Sequence, residues 1–408
     1  MINKILDKLS KWILCNYFLL LIITQLVRIF GYETKFEVLI LLASIFILFN
    51  HINEVTSKLS NRAINIFLLF IVFYIICTAL FNDYILDLKY YSFRYFVWAI
   101  FFFYIGQMKI FANDEIYSKQ KNVLLILYAI SLYLYFIPPS WYVVWKNSAF
   151  SSIENYTIDI TSYSDDFSRL SGFWSYPYFV CYSAYIYITY YLLRCRLGLE
   201  NSKIYLPILI AFSAMFLGMM RVSIICCIIF YLTLIFFFRD DPKYRNKTWK
   251  HLNYSIILFL FIAVFYSSFY LTDYISQRIF NNTNVVSERI MMFSTLFDNI
   301  SVFGQGIGRF SNEAKLYGYP SIMDSEWIKL LCEIGIVGVS LIVIFFIRII
   351  KMGLSNYKNN FFELSVIIFF LISMIGSNSL EQPIVKHSVF LWFCAGQILN
   401  KYRKNYVK

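Results

Sequence analysis

Residues 64–81, INIFLLFIVFYIICTALF, form a stretch without a single charged side chain. A helix needs about 20 predominantly apolar residues to cross the hydrocarbon core of a bilayer, so this stretch predicts a membrane-spanning helix. The rest of the chain has the same character, because 60% of its 408 residues are apolar and only 15% are charged. A soluble domain has about 25% charged residues. The composition therefore excludes a soluble enzyme, a disulfide-built secreted domain and a disordered chain.

Apolar runs of spanning or near-spanning length recur along the chain. They predict an all-α fold in which residues 1–408 form a single polytopic membrane domain with about twelve transmembrane helices. The predicted spans cover residues 12–30, 36–49, 64–81, 93–111, 123–137, 173–193, 204–218, 222–238, 254–271, 328–347, 362–376 and 384–399. The eight cysteines lie in or beside these runs without C-x-x-C spacing, and we expect them to be small apolar side chains.

The positive charges predict the orientation of these spans, because loops rich in Lys and Arg resist translocation. With the N-terminus in the cytoplasm, the cytoplasmic segments hold 23 of the 36 Lys and Arg residues and 8 of the 24 acidic residues. The inner face then has a net charge of +15 and the outer face −3. Both termini are predicted to be cytoplasmic. The net positive charge is therefore explained by the orientation of the spans and does not indicate binding of nucleic acid.

Two connections on the outer face are much longer than the others, residues 138–172 and 272–327. Loops beyond about 12 to 15 residues are usually functional or disordered. The second loop contains GQGIGRF, which does not satisfy G-x-G-x-x-G because Arg309 occupies the place of the third glycine. We expect a flexible turn there rather than a nucleotide-binding loop.

Three arginines, Arg169, Arg221 and Arg289, lie at the outer edge of the predicted bundle. An arginine at mid-bilayer costs about 2.5 to 3.5 kcal/mol on insertion scales. The planar guanidinium fits phosphate oxygens bidentately and stays charged at any working pH. Three guanidinium groups on one face would suit a lipid diphosphate at the membrane surface. Contact with lipid headgroups or pairing with neighbouring acidic residues is the alternative.

Candidate proton acceptors lie at the entrance to the tenth predicted span. Asp324 and Glu326 are on the same face as the arginines, and either could accept a proton from a sugar hydroxyl. The alternative is that both are solvated loop carboxylates. Glu333, one turn into the tenth predicted span, could brace an arginine. The three histidines show no metal-ligand spacing, so no metal and no cofactor is predicted.

Four sequence elements on the outer face occur in a characteristic order within residues 169–340. They are R-x-x-G followed by an aromatic-Pro pair, an arginine opening a helix, an arginine about fifteen residues before G-x-G-x-G, and a polar pair before an L-x-x-L-x-E-x-G-I-x-G-like segment. The set resembles the bacterial O-antigen polymerase and O-antigen ligase superfamily of membrane glycosyltransferases. The matching positions are Arg169, Gly172, Pro177, Arg221, Arg289, Gly304, Asp324, Ser325, Ile328, Leu331, Glu333, Gly335 and Gly338.

The resemblance implies a multi-pass inner-membrane enzyme with two enlarged periplasmic loops. Its activity would be transfer of a growing polysaccharide from undecaprenyl diphosphate onto the next lipid-linked repeat unit. The diphosphate would be bound by Arg169, Arg221 and Arg289, and Asp324 or Glu326 would act with Arg221 in catalysis. A chain-length regulator and a flippase of the same pathway are the implied protein partners.

Two other functions remain open from the sequence. Ligases of this superfamily usually carry a histidine where this chain has Asp324, which favours a polymerase of O antigen, capsule or another surface polysaccharide. A flippase for the same lipid-linked oligosaccharide is expected to carry charges along a cavity within its spans and to have short outer loops. In this chain the three arginines and the two candidate carboxylates are predicted at the outer ends of the spans.

Overall fold

The computed structural model describes residues 2–20, 23, 36–56, 59–89, 101–111, 115–143, 170, 172, 177–200, 204–218, 220–237, 283–311, 313–322, 325–376 and 388–406. In this part of the chain 83% of the residues are helical and none lies in a β-strand. The predicted all-α class is therefore confirmed. The predicted span 254–271 lies outside the described residues, and so do parts of the loops 138–172 and 272–327.

The helices are numbered in chain order. They are α1 (Ile2–Cys15), α2 (Phe36–Thr56), α3 (Leu59–Phe81), α4 (Glu115–Lys119), α5 (Lys121–Phe136), α6 (Pro177–Arg196), α7 (Tyr205–Leu217), α8 (Arg221–Phe237), α9 (Thr283–Asn299), α10 (Glu326–Glu333), α11 (Gly335–Ser355), α12 (Tyr357–Ser373) and α13 (Ser388–Tyr406). Two 3₁₀ turns, Lys109–Phe111 and Glu313–Tyr317, lie between them.

Within the described residues, two helices are long and apolar enough to cross a membrane, Ala63–Phe81 in α3 and Gly335–Ser355, which is α11. Only 39% and 33% of the residues in their most apolar windows are buried inside the protein. The core helix of a soluble protein would bury its apolar residues, whereas these helices expose them. Their exposed large apolar side chains are Ile66, Leu69, Phe70, Phe73, Leu80, Phe81, Ile336, Val343, Ile344, Ile347 and Leu354.

Further apolar helices are shorter, at 10 to 17 residues: Val38–His51, Lys121–Phe136, Tyr205–Leu217 and Arg221–Phe237. The predicted start of the tenth span at residue 328 is wrong. Gly335 has a positive φ of 71°, a conformation that interrupts a helix, and it separates the short α10 from the long α11. The long helix therefore begins at Gly335.

The helix pairs α6–α12 and α8–α12 run in opposite directions, as ring contacts at two levels of each pair show. Between α6 and α12, the rings of Tyr182 and Phe370 are 5.3 Å apart and those of Tyr190 and Phe362 are 5.4 Å apart. Between α8 and α12, Phe230 and Phe237 contact Phe361 and Tyr357, at 5.2 and 5.4 Å. The beginnings of α6 and α8 therefore lie beside the end of α12.

The pairs α5–α6 and α3–α11 are antiparallel as well. Lys121 at the start of α5 forms an ion pair with Glu200, which follows α6, at 3.1 Å. In α3, Tyr74 donates to the Ile334 carbonyl at 2.9 Å, while Arg348 of α11 lies over the Phe67 ring. One end of the bundle thus holds the starts of α6, α8 and α11 and the ends of α3, α5 and α12. We call it the Arg221 end, and the opposite one the Lys121 end.

Candidate functional site

The backbone next to Arg169 is fixed at the Arg221 end. The Leu170 amide donates to the Leu217 carbonyl at 3.0 Å, and Leu170 is fully buried. Two residues later, the Gly172 carbonyl accepts a hydrogen bond of 2.8 Å from the Tyr142 hydroxyl. Arg169 itself lies outside the described residues. Its chain neighbour nevertheless packs against the last residue of α7, four positions before Arg221.

Arg221 is the first residue of α8, and its side chain is exposed. Gly218 ends α7, so only a short turn separates the two helices. The N-terminus of a helix carries partial positive charge, and a cation at this position therefore does not stabilise the helix. The first backbone amides of a helix and an exposed guanidinium both attract anions. Arg221 therefore does not stabilise α8, but it could bind a phosphate group there.

The segment that carries the candidate carboxylates is attached to α12. The Trp327 indole nitrogen donates to the Leu371 carbonyl at 3.0 Å, and the Ser325 hydroxyl contacts the Met374 carbonyl at 3.5 Å. The Ser325 oxygen also caps α10 by accepting from the Ile328 amide. Because the end of α12 lies beside the start of α8, α10 and Arg221 are at the same end of the bundle.

Glu326 is buried and forms an ion pair. Its Oε1 lies 2.9 Å from Nζ of Lys329, and the two side chains are 2% and 4% exposed. The alternative of a solvated loop carboxylate therefore does not hold for Glu326. Lys329 was not among the candidates from the sequence, although its i,i+3 spacing from Glu326 was visible there. Asp324 lies outside the described residues.

Glu333 holds the glycine-rich turn, residues 304–310, against α10. Its carboxylate accepts a hydrogen bond of 3.2 Å from the Phe310 amide and is 2% exposed as a residue. Tyr84, after α3, donates to the Ile307 carbonyl at 2.6 Å. Burial raises the pKa of Tyr84 above its ordinary value, the charge of Glu333 raises it further, and Arg309 lowers it. Tyr84, Glu333 and Arg309 thus form one electrostatic cluster.

The glycine-rich turn is closely packed. Gly304, Gly306 and Gly308 have φ values of 86°, 104° and 90°, which glycine adopts without strain. A Cβ atom at Gly304 would lie 2.3 Å from the Glu333 carbonyl oxygen, and one at Gly306 would lie 2.3 Å from the Tyr84 ring. The predicted turn is present, and the space around it explains its glycines. It is packed rather than flexible, because long-range contacts surround it.

Arg289 belongs to α9, and its side chain lies outside what the structure describes. The helix packs on α10, since Met292 and Leu296 contact the cluster that contains Phe310 and Cys332. The structure therefore brings the helix of Arg289, the segment next to Arg169, the start of α8 and α10 to one end. It gives no side-chain position for Arg169, Arg289 or Asp324.

No group of three His, Cys, Asp or Glu residues in the described ranges is arranged to hold a metal ion. Comparison of the chain with protein-family models and with curated proteins finds no match.

Proposed function

We propose that this protein is an inner-membrane glycosyltransferase that polymerises undecaprenyl-diphosphate-linked oligosaccharide units of O antigen, capsule or another surface polysaccharide at the periplasmic face. The observation that carries the proposal is the hydrogen bond from Leu170 to Leu217. It holds the chain next to Arg169 against the turn that leads to Arg221. The residue that follows Arg169 and the end of the helix that precedes Arg221 are therefore neighbours in space.

In the proposed arrangement about twelve helices cross the membrane and both termini lie in the cytoplasm. Antiparallel helix pairs give each end of the bundle alternate helix termini, as successive crossings require. The Lys121 end carries basic residues on several helices, which favours its placement in the cytoplasm. They are Lys121, Arg194, Arg196, Lys351, Lys358 and Lys401. The Arg221 end would then face the periplasm.

In the proposed reaction a hydroxyl oxygen of the acceptor sugar attacks the anomeric carbon of the donor. The bond from that carbon to the diphosphate breaks, and its electron pair leaves on the diphosphate. Arg169, Arg221 and Arg289 stabilise the departing charge, each by about 4 kcal/mol at 4 Å and an effective dielectric near 20, before desolvation. The mechanism needs no metal, because the guanidinium groups fill that electrostatic role.

The acceptor hydroxyl loses its proton to a carboxylate. The candidates for this carboxylate are Asp324 and Glu326. The buried ion pair with Lys329 restricts access to Glu326. Asp324, two residues earlier, is therefore the first choice as the proton acceptor, and Glu326 is the second. In the second assignment Lys329 holds the Glu326 carboxylate in place.

Deletion of the gene tests this function. Cells without the protein should accumulate single repeat units on undecaprenyl diphosphate in place of long chains, and full-length polysaccharide in the deletion strain would refute the proposal. Complementation with Arg221→Ala should fail to restore chains although the variant reaches the membrane in normal amounts. Lys358→Ala, an exposed residue at the opposite end, is the matched control and should restore them.

A further inference from the structure

The interface between α5 and α6 contains buried polar atoms that form no hydrogen bond with the described residues. The five side chains involved are at most 2% exposed. The atoms are Oε1 and Nε2 of Gln120 and the hydroxyl oxygens of Tyr128, Ser131, Tyr187 and Tyr191. Gln120, Tyr128 and Ser131 lie at or along α5, while Tyr187 and Tyr191 belong to α6.

These side chains follow one another along the interface between α5 and α6, and we call them the column. The rings of Tyr187 and Tyr191 are 4.7 Å apart, and those of Tyr128 and Tyr187 are 5.9 Å apart. Nζ of Lys121 lies 4.9 Å from the centroid of the Tyr191 ring, which places the column next to Gln120 at the Lys121 end. From Gln120 to Ser131 a helix rises about 16 Å.

The other end of the column reaches the Arg221 end of the bundle. A Cβ atom at Gly172 would lie 1.9 Å from the Ser131 hydroxyl oxygen, so the Gly172 backbone lies directly against Ser131. Gly172 is joined by one residue to Leu170, which bonds to Leu217. The column therefore connects the Lys121 end with the backbone that precedes the candidate diphosphate site.

A buried donor or acceptor without a partner costs the full desolvation free energy of the group. Several such atoms in one interface would therefore destabilise the folded protein strongly. The Tyr128 hydroxyl faces Ser183, whose hydroxyl donates to the Val180 carbonyl at 3.0 Å and can still accept a hydrogen bond, so Tyr128 does not require a water. The cost falls on the atoms of Gln120, Ser131, Tyr187 and Tyr191. Buried water typically makes about three hydrogen bonds to groups of this kind.

We propose that a chain of ordered water molecules binds between α5 and α6 and bridges Gln120, Tyr191, Tyr187 and Ser131. Each tyrosine or serine hydroxyl donates one hydrogen bond to a water and accepts another. The Gln120 amide binds water with both of its polar atoms. This site rests on the polar atoms of the interface and is independent of the glycosyltransferase proposal.

Tyrosine-to-phenylalanine variants distinguish a hydrated interface from a dry one. Removing a dry, unpaired hydroxyl relieves its desolvation cost, so Tyr187→Phe and Tyr191→Phe would then raise the melting temperature. Removing a hydroxyl that binds the water chain leaves that water and its neighbours short of partners. We therefore expect each variant to lower the melting temperature, and the double variant to lower it by less than the sum. Tyr133→Phe, at an exposed position on α5, should change nothing.

Radiolytic footprinting of the wild-type protein in ¹⁸O-labelled water tests for the waters directly and does not depend on the stability of any variant. Radicals made from bound water oxidise the side chains that touch it. Tyr187 and Tyr191 should incorporate ¹⁸O although they are buried. Tyr185, equally buried but donating directly to the Ser365 carbonyl at 3.2 Å, should stay at background. Background labelling of all three tyrosines, or a rise in melting temperature for both Phe variants, would overturn the proposal.

Discussion

Replacing Lys329 by methionine should destabilise the protein strongly. Nζ of Lys329 lies 2.9 Å from Oε1 of Glu326, and the side chains are 4% and 2% exposed. At this distance and an effective dielectric near 20 the attraction is about 6 kcal/mol before desolvation. Removing one partner of a buried pair typically costs about 3 to 5 kcal/mol, because the remaining charge loses the opposite charge of the pair. We expect Lys329→Met to lower the free energy of unfolding by that amount.

Denaturant titration of the purified protein in detergent, followed by tryptophan fluorescence, measures this loss. The double variant with Glu326→Leu and Lys329→Met should recover most of the stability, since apolar residues often replace a buried ion pair at little cost. Lys358→Met, at an exposed position of α12, should stay within about 0.5 kcal/mol of the wild type. A loss below about 1 kcal/mol for Lys329→Met, or a double variant no more stable than the single one, would refute this reasoning.

Two further substitutions, each with a control substitution, test the glycine-rich turn and the exposed apolar surface of α3. Gly306→Ala should cost more than about 1 to 2 kcal/mol in the same titration, because alanine meets both the positive φ and the Tyr84 ring. Gly376→Ala, with no heavy atom within 4 Å, should be silent, and equal losses for the two would contradict the packing. Phe73→Arg, 63% exposed on α3, should make membrane insertion of that helix less favourable by about 2.5 to 3.5 kcal/mol in a glycosylation-mapping assay. Leu316→Arg, 67% exposed in the 3₁₀ turn Glu313–Tyr317, should insert normally, and normal insertion of Phe73→Arg would place α3 outside the bilayer.

The positions of the apolar helices were largely predictable, because they depend on local composition. The run at residues 64–81 became the apolar helix Ala63–Phe81. The run at residues 328–347 was placed less well. Its composition is continuous, and only the backbone conformation of Gly335 shows where α10 ends and α11 begins. Glycine permits a positive φ but does not require one, so the sequence alone could not locate this break.

The surroundings of the candidate site depended on contacts between distant parts of the chain. The order of motifs selected Arg169 and Arg221, yet the hydrogen bond that links their neighbourhoods joins residues far apart in sequence. Burial of Glu326 follows from the attachment of α10 to α12 through Trp327, which no local pattern encodes. The role of the glycine-rich turn likewise depends on Tyr84, which precedes it by more than two hundred residues.

Reconstitution of the purified protein in liposomes with a synthetic undecaprenyl-diphosphate-linked repeat unit tests the proposed polymerase activity most directly. The wild-type protein should convert single units into a ladder of longer chains and release one undecaprenyl diphosphate for each new glycosidic bond. Arg221→Ala should give no ladder. Units that cross the bilayer without lengthening would indicate a flippase, and transfer only to a lipid A core acceptor would indicate a ligase. Either result would contradict the proposal.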